Sequence, residues 1–117
     1  MKKEQHRNKE SCMRMLQPVT DALYVLNGKW KLPILISLSF GVRRFGEIAK
    51  DIPRITDRML SKELRELEAN LLVKRMVYDS KPVVVEYSLT EYGRSLDDVI
   101  EALQKWGMQH RKKIVGK

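Results

Sequence analysis

The sequence predicts a mainly helical domain with a small β-hairpin, the arrangement called a winged helix-turn-helix. Residues 56–71 have the pattern of a two-faced amphipathic helix, and a short helix and a turn precede it. Directly after it, two runs rich in Val and Tyr flank a short turn, which is typical of a β-hairpin. A helix-turn-helix followed at once by such a hairpin, or wing, is a winged helix.

Composition predicts one globular domain and favours a polyanionic partner, although charge alone does not decide this. Of its 117 residues, 43% are apolar and 32% are charged, so we expect one modest core. The net charge of +8 favours nucleic acid as a partner first and an acidic membrane surface second. A charged N-terminus, the lack of a long apolar run and a single cysteine predict a cytoplasmic protein with no membrane segment.

Three helices are predicted before the two-faced one. Pro18 suits a first helical turn, so the first helix is placed from Pro18 to the Asn27-Gly28 pair, which would stop it. Lys29–Phe40 is the most apolar segment and is predicted to be the central buried helix. Arg43–Asp51 is predicted to be a short third helix that ends before a proline.

The fourth helix has one face for a core and another for solvent, and Thr56 is a good N-cap for it. Leucines at helical spacing mark the core stripe: Leu60, Leu64, Leu67 and Leu71. The other face, called the cationic face below, consists of Arg58, Ser61, Lys62 and Arg65. These groups can donate to phosphates and guanine edges, and a helix fits the major groove. The alternative is an ordinary solvated face, because three acids share the helix: Glu63, Glu66 and Glu68.

The predicted hairpin supplies a second element for DNA contact. Its strands are Val73–Asp79 and Val83–Leu89, and its turn carries Lys81. Such a wing lies along backbone or minor groove while the helix enters the major groove. Further candidate phosphate contacts are Arg75, Arg43 and Arg44. The alternatives are a hairpin that only covers the core, and arginines that pair with acids instead of phosphate.

A long final helix, with Thr90 as its cap, carries more large apolar groups than a peripheral helix needs. They are Leu96, Val99, Ile100, Leu103 and Trp106. A second copy of the chain is the natural place to bury part of that stripe. The alternative is that the helix folds back on its own domain alone.

Four motifs together are specific enough to point to a family. They are Asn27-Gly28-Lys29-Trp30, Arg44-Phe45, Leu60-Ser61-x-x-Leu64-x-x-Leu67 and Glu86-Tyr87-x-Leu89-Thr90-x-x-Gly93. Through them the chain, from about Pro18 to His110, closely resembles the HxlR family of bacterial transcriptional regulators. The resemblance implies a winged helix of the MarR/HxlR type that forms a homodimer through its terminal helices. It also implies binding to double-stranded DNA at an operator, with repression or activation of neighbouring genes.

That resemblance divides the chain into three parts. Residues 1–17 are expected to be a basic N-terminal segment, partly helical or flexible. Residues 18–110 would form the winged-helix DNA-binding domain with its C-terminal dimerisation helix, and residues 111–117 a basic tail.

Cysteine usage departs from the family that the chain resembles. Several members sense oxidants through a Cys directly before the Pro-Val pair that opens the first matching helix, and here Gln17 stands at that position. The lone thiol, Cys12, lies five residues upstream, near Lys9 and Arg14, which favour a thiolate. Cys12 is therefore a candidate redox thiol, and an incidental cysteine is the alternative. A small-molecule or redox effector, not identified by the sequence, remains open.

Catalytic and metal-binding patterns are missing from the sequence. His6 and His110 are far apart and lack neighbours at ligand spacing, and there is no Gly-rich phosphate loop or nucleophile elbow. We therefore expect no enzyme and no cofactor. The sequence predicts a sequence-specific DNA-binding regulator that acts as a homodimer on a pseudo-palindromic operator, with half-sites about ten base pairs apart. A winged-helix protein-interaction module without DNA binding is the alternative.

Overall fold

The computed structural model describes residues 8–116, which form six helices and three strands. In chain order they are α1 (Lys9–Val25), α2 (Lys31–Ser39), β1 (Arg43–Arg44), α3 (Phe45–Asp51), α4 (Asp57–Ala69), β2 (Val73–Tyr78), β3 (Val84–Leu89), α5 (Glu91–Arg94) and α6 (Asp97–Val115). The strands form one antiparallel sheet in the order β1-β3-β2. Helices α3 and α4 with the β2–β3 wing make the predicted winged helix-turn-helix, so that prediction is confirmed.

The core lies where α2, α3 and α4 meet the sheet. Its buried side chains are Ile34, Leu35, Leu38, Ile48, Ile52, Leu60, Leu64, Leu67, Leu72, Val73 and Leu89. Full burial of each such side chain contributes about 1.5–3 kcal/mol, and α2 supplies three that are 0–1% exposed. The prediction of a central buried helix here is therefore confirmed.

The predicted start of the first helix at Pro18 is wrong, because α1 begins nine residues earlier, at Lys9. Asn8 caps it: its side-chain oxygen accepts a hydrogen bond from the Ser11 N–H at 2.8 Å. Pro18 lies inside the helix, where its missing N–H leaves the Arg14 carbonyl without the usual donor. The predicted basic segment at residues 1–17 is thus helical from Lys9. Residues 1–7, with His6, and residue 117 lie outside the described part of the chain.

The predicted core position of Leu71 is also wrong, because α4 ends before it. Leu71 takes a left-handed conformation, with φ of 66°, and its side chain is 69% exposed. Its N–H donates to the Glu68 carbonyl, and the Leu72 N–H donates to the Leu67 carbonyl, both at 3.0 Å. This is a Schellman motif, which reverses the chain direction and brings Leu72 into the core instead.

The sequence suggested Thr90 as the cap of the long final helix, but Thr90 caps the short helix α5 instead. Its hydroxyl accepts from the Gly93 N–H at 2.9 Å, and α6 begins only at Asp97. Gly93 lies against the backbone of Leu72, where a Cβ would overlap the Leu72 carbonyl oxygen. The glycine of the fourth motif is therefore needed for close packing between α5 and the strand β2 region.

The terminal helices α1 and α6 contain no buried residue. Large side chains on them face solvent, among them Leu16, Val19, Leu23, Tyr24, Val99, Leu103 and Trp106. Only the start of α6, through Leu96 and Ile100, and the end of α1 pack against the core. The radius of gyration is 17.7 Å, whereas a compact domain of this length has about 13 Å. None of the helices within residues 8–116 is long and apolar enough to cross a membrane.

Candidate nucleic-acid interface

Helix α4 begins with its N-cap where the sequence predicted it. The Thr56 hydroxyl accepts from the Met59 N–H at 3.1 Å, and the Leu60 N–H makes the first helical bond to the Thr56 carbonyl. The N–H groups of Asp57 and Arg58 precede that bond and have no acceptor within the helix. A helix end of this kind attracts anions such as phosphate.

The two faces of α4 are separated as predicted. Leu60, Leu64 and Leu67 are 0–1% exposed and pack in the core. On the cationic face, Arg58, Lys62 and Arg65 are exposed and Ser61 is half-buried. Because about 3.6 residues make one turn, these four positions share one side of the helix.

Ser61 and Arg65 do not act as separate donors, because they bond to each other. The Arg65 guanidinium donates to the Ser61 Oγ at 2.7 Å. Ser61 thereby holds the Arg65 side chain along the helix and leaves its remaining N–H groups for another acceptor. The sequence predicted both residues at the surface but not this contact.

The wing places Arg75 beside the cationic face. Arg75 lies opposite Tyr87 in the β2–β3 register, and its side chain is exposed. A cleft of about 350 Å³ between α4 and the sheet is lined in part by Ser61, Arg65, Arg75 and Tyr87. The structure therefore brings three of the predicted site residues to one cleft.

Arg43 and Arg44 lie in β1 and not in the helix predicted from residue 43. They pair with Tyr87 and Glu86 of β3, and this third strand extends the sheet. The Arg43 Nε is 3.4 Å from Asp51, whose carboxylate also accepts from the Ser37 hydroxyl at 2.7 Å. The sequence left open whether Arg43 pairs with an acid, and in the structure it pairs with Asp51. A contact between Arg43 and phosphate stays a prediction.

The Arg44 backbone N–H donates to the Glu47 carboxylate at 2.7 Å, which caps the start of α3. The Arg44 side chain itself is exposed. Lys81 lies in the exposed turn between β2 and β3, as predicted. A further exposed cation, Arg54, occupies the turn before α4 with φ of 70°. The sequence reading did not single it out, although its place between the two helices was a usable signal.

Behind the cationic face lies a buried ion cluster that the sequence reading missed. The Lys31 Nζ donates to Glu63 at 2.6 Å, to Glu66 at 2.7 Å and to the Asn27 side chain at 3.1 Å. Lys31 is 2% exposed and Glu63 is 6% exposed. Glu66 also lies 3.3 Å from Lys62, so it joins the cluster to the surface.

Hydrogen bonding favours the charged forms of Lys31 and Glu66. Burial alone lowers the pKa of the Lys31 ammonium, but its bonds to Glu63 and Glu66 outweigh burial, so that pKa is raised above its ordinary value. The bonds that Glu66 accepts from Lys31 and Lys62 lower the pKa of its carboxyl group. Glu63 and Glu66, which the sequence suggested as part of a solvated face, therefore bind a buried cation.

Cys12 lies in the first turn of α1 and is exposed. Within the described residues, no three side chains of His, Cys, Asp or Glu are grouped to hold a metal ion. A cavity of about 610 Å³ shares no lining residue with the cationic face and is lined in part by Trp30, Phe40, Arg43 and Arg54. The redox role of Cys12 and the binding of an effector stay predictions.

Comparison with known proteins gives one consistent family. The sequence model of HxlR-like helix-turn-helix proteins matches residues 25–115. The HTH-type transcriptional regulator YtcD of Bacillus subtilis is 44% identical over 98 residues, which are 84% of this chain and 78% of YtcD. The reduced redox regulator HypR has a TM-score of 0.80 and 42% identity, covering 86% of this chain and 100% of HypR. Reduced YodB from B. subtilis has a TM-score of 0.72 and 39% identity, covering 80% of this chain and 91% of YodB.

Proposed function

Because the chain belongs to the HxlR-like helix-turn-helix family and is a DNA-binding transcriptional regulator, we propose that it binds a pseudo-palindromic operator as a homodimer. Each protomer would insert one α4 into the major groove of one half-site, with half-sites about ten base pairs apart. The observation that carries this proposal is the exposed cationic face of α4, backed by a buried leucine stripe and flanked by Arg75.

The side chains around α4 divide by what they would contact. Arg58 and Arg65 would reach base edges, since an arginine fork matches the two acceptors of guanine. Ser61 would orient Arg65 through the hydrogen bond between them. Phosphate contacts would come from Thr56 with the helix N-terminus and from Lys62, Arg75, Lys81, Arg43 and Arg44.

The homodimer is supported by the surface that a single chain leaves open. The chain exposes 9585 Å², whereas a compact monomer of this mass exposes about 6,600 Å². The excess, about 3,000 Å² on each chain, is at least as large as the roughly 1,000–2,500 Å² that each partner of a permanent dimer buries. The exposed apolar side chains of α1 and α6 are the surface that would be covered. Gel filtration at micromolar concentration should therefore give a dimer, and a monomer would contradict this interface.

Arg65→Ala tests the DNA contact. If Arg65 contacts a base, operator affinity should fall by about 1–3 kcal/mol. Lys105→Ala is the matched control, because it removes the same charge from an exposed pair with Glu101 on α6. Fluorescence anisotropy with a labelled operator gives both affinities. Unchanged affinity for Arg65→Ala, together with DNA retention that does not depend on salt, would favour the protein-interaction module instead.

An effector is part of the proposal. HypR is a redox regulator, and Cys12 is the thiol through which this chain would respond to an oxidant. Intact mass and operator affinity after diamide treatment, compared with those of Cys12→Ser, test that role. An unchanged mass would leave Cys12 as an incidental cysteine. The proposal also makes the protein a cytoplasmic regulator without catalytic activity.

A further inference from the structure

Lys31 is the only charged residue among the largest fully buried side chains of the described domain. An ammonium group has three N–H donors, and each finds one oxygen: on Asn27, Glu63 and Glu66. Taking such an ion out of water is costly, and apolar residues of similar volume often serve stability as well or better. Stability alone is thus a weak reason for an ion at this position.

The cluster joins three elements of the domain: the turn after α1, the start of α2 and the helix α4. Lys31 is the first residue of α2, and Asn27 lies in the turn that follows α1. Glu63 and Glu66 lie three residues apart on α4, so they project from the same side of that helix. A Cβ on Gly28 would lie 3.8 Å from the second Glu63 oxygen, so the turn packs closely over this carboxylate.

Apolar packing and hydrogen bonding constrain α4 differently. The leucine stripe holds α4 against the core, but hydrophobic attraction has no direction and tolerates small rotations and shifts. Short charge-assisted hydrogen bonds have strict geometry. Two of them, to carboxylates three residues apart, fix both the rotation of α4 about its axis and its position along that axis.

We propose that Lys31 is a positioning residue for DNA recognition, which sets the rotation and axial position of α4 relative to α2. The orientation of Arg58 and Arg65 toward base edges then depends on Lys31, although Lys31 itself is buried away from DNA. This inference rests on the proposed function. Glu66 extends the effect to the surface, because its other oxygen lies 3.3 Å from Lys62 on the cationic face.

The double variant Lys31→Met/Glu63→Met separates positioning from stability. It replaces the most buried ion pair with apolar side chains of similar size, which should leave the urea midpoint equal or higher. The unmodified full chain first selects an operator from a randomised duplex pool. Selectivity is then the ratio of dissociation constants for a scrambled duplex of equal composition and for that operator, at one salt concentration.

We expect the double variant to bind the scrambled duplex as the unmodified chain does, and to lose about tenfold in selectivity. A stable double variant with selectivity within about twofold of the unmodified chain would overturn the proposal. Loss of urea stability in proportion to the loss of selectivity would also overturn it, because the role would then be structural.

Glu66→Ala provides a second test, because Glu66 is partly exposed and its replacement should not prevent folding. Glu101→Ala is its matched control. It removes an equal charge and also breaks an exposed pair with a lysine, Lys105, but on α6 and outside the cleft that Arg65 and Arg75 line. Selectivity should fall about tenfold in Glu66→Ala relative to Glu101→Ala. Equal selectivity of the two variants would contradict the proposal.

Failure of the inference and failure of the proposed function give different results. If the unmodified chain selects no operator, or binds operator and scrambled duplex equally, the proposed function is wrong. If the unmodified chain is selective and both Lys31→Met/Glu63→Met and Glu66→Ala keep that selectivity, only the role of Lys31 is wrong.

Discussion

Replacing Gly93 with alanine should destabilise the domain where α5 meets the end of α4, because there is no room for a methyl group. A Cβ at this position would overlap the Leu72 carbonyl oxygen and lie 3.1 Å from its carbonyl carbon. The same oxygen accepts from the Thr90 N–H at 3.1 Å, and the Thr90 hydroxyl donates to the Leu71 carbonyl at 2.6 Å. The obstacle is backbone, so no side-chain rotation can relieve the overlap.

The size of the effect follows from these contacts. Non-bonded carbon atoms prefer about 3.5–4.0 Å, so the Leu72 backbone or α5 must move. Such overpacking costs about 1–3 kcal/mol, and weakening the Thr90 bonds adds about 1 kcal/mol each. The higher helix propensity of alanine offsets about 0.5–1 kcal/mol of this loss in the free energy of unfolding. We therefore expect Gly93→Ala to lower the free energy of unfolding by about 2–4 kcal/mol.

Urea unfolding followed by far-UV circular dichroism measures this loss. All variants must be compared at one protein concentration, because association of chains raises apparent stability. Gly46→Ala in α3 is the control, since nothing lies within 4 Å of its added Cβ, and its stability should be unchanged or slightly higher. A Gly93→Ala midpoint equal to that of Gly46→Ala would refute the reasoning.

Three further predictions concern α4 and its surroundings. Leu71→Gly should raise the free energy of unfolding by about 0.5–1 kcal/mol in urea, because glycine removes left-handed strain, whereas Leu71→Ala keeps the strain and should not. Lys62→Ala should reduce the slope of log affinity against log salt by about one, equally for operator and scrambled DNA, if Lys62 contacts phosphate. The raised pKa of Lys31 means that its stabilisation is full below its ordinary value of 10.5 and is lost as pH rises through the higher folded value. Urea midpoints should therefore fall more steeply in strong alkali for the unmodified chain than for Lys31→Met/Glu63→Met, and parallel curves would contradict this.

Local patterns predicted the two faces of α4 well. Leu60, Leu64 and Leu67 were assigned to the core from their spacing alone, and all three are buried. Helical periodicity is a local property, so the sequence expresses it directly. Leu71 continued the same spacing and was assigned wrongly, because the end of a helix depends on capping and not on periodicity.

Competing signals explain the error at the first helix. Pro18 is typical of the first turn of a helix, and the helix was therefore predicted to start there. Asn8 caps the helix ten residues upstream, and the helix continues through Pro18 although the proline removes one helical hydrogen bond. The strand β1 was missed for another reason. Its two residues pair with β3, more than forty positions along the chain, and nothing within Arg43-Arg44 indicates that partner.

In the candidate site, the exposed residues were predictable and their contacts were not. Charge and spacing identified Arg58, Lys62 and Arg65 as a solvent face. The contacts of Lys31 join residues 32 and 35 positions apart, and no local pattern says which acids it meets. The one available signal was Lys31, one of two lysines in the most apolar segment and the one directly before its apolar run, where an unpaired charge would be too costly.

If the proposed homodimer forms, the exposed helix α1 would affect the lifetime of the protein in the cell. None of its 17 residues is buried, and isolated helices of about that length are marginal in water. In a lone chain α1 would therefore open often, and open segments are where proteases cut. Pairing with a second chain would cover α1 and protect it. Monomers would then be degraded faster than homodimers. Proteolysis would therefore remove monomers selectively and leave the regulator in the cell mostly as the homodimer.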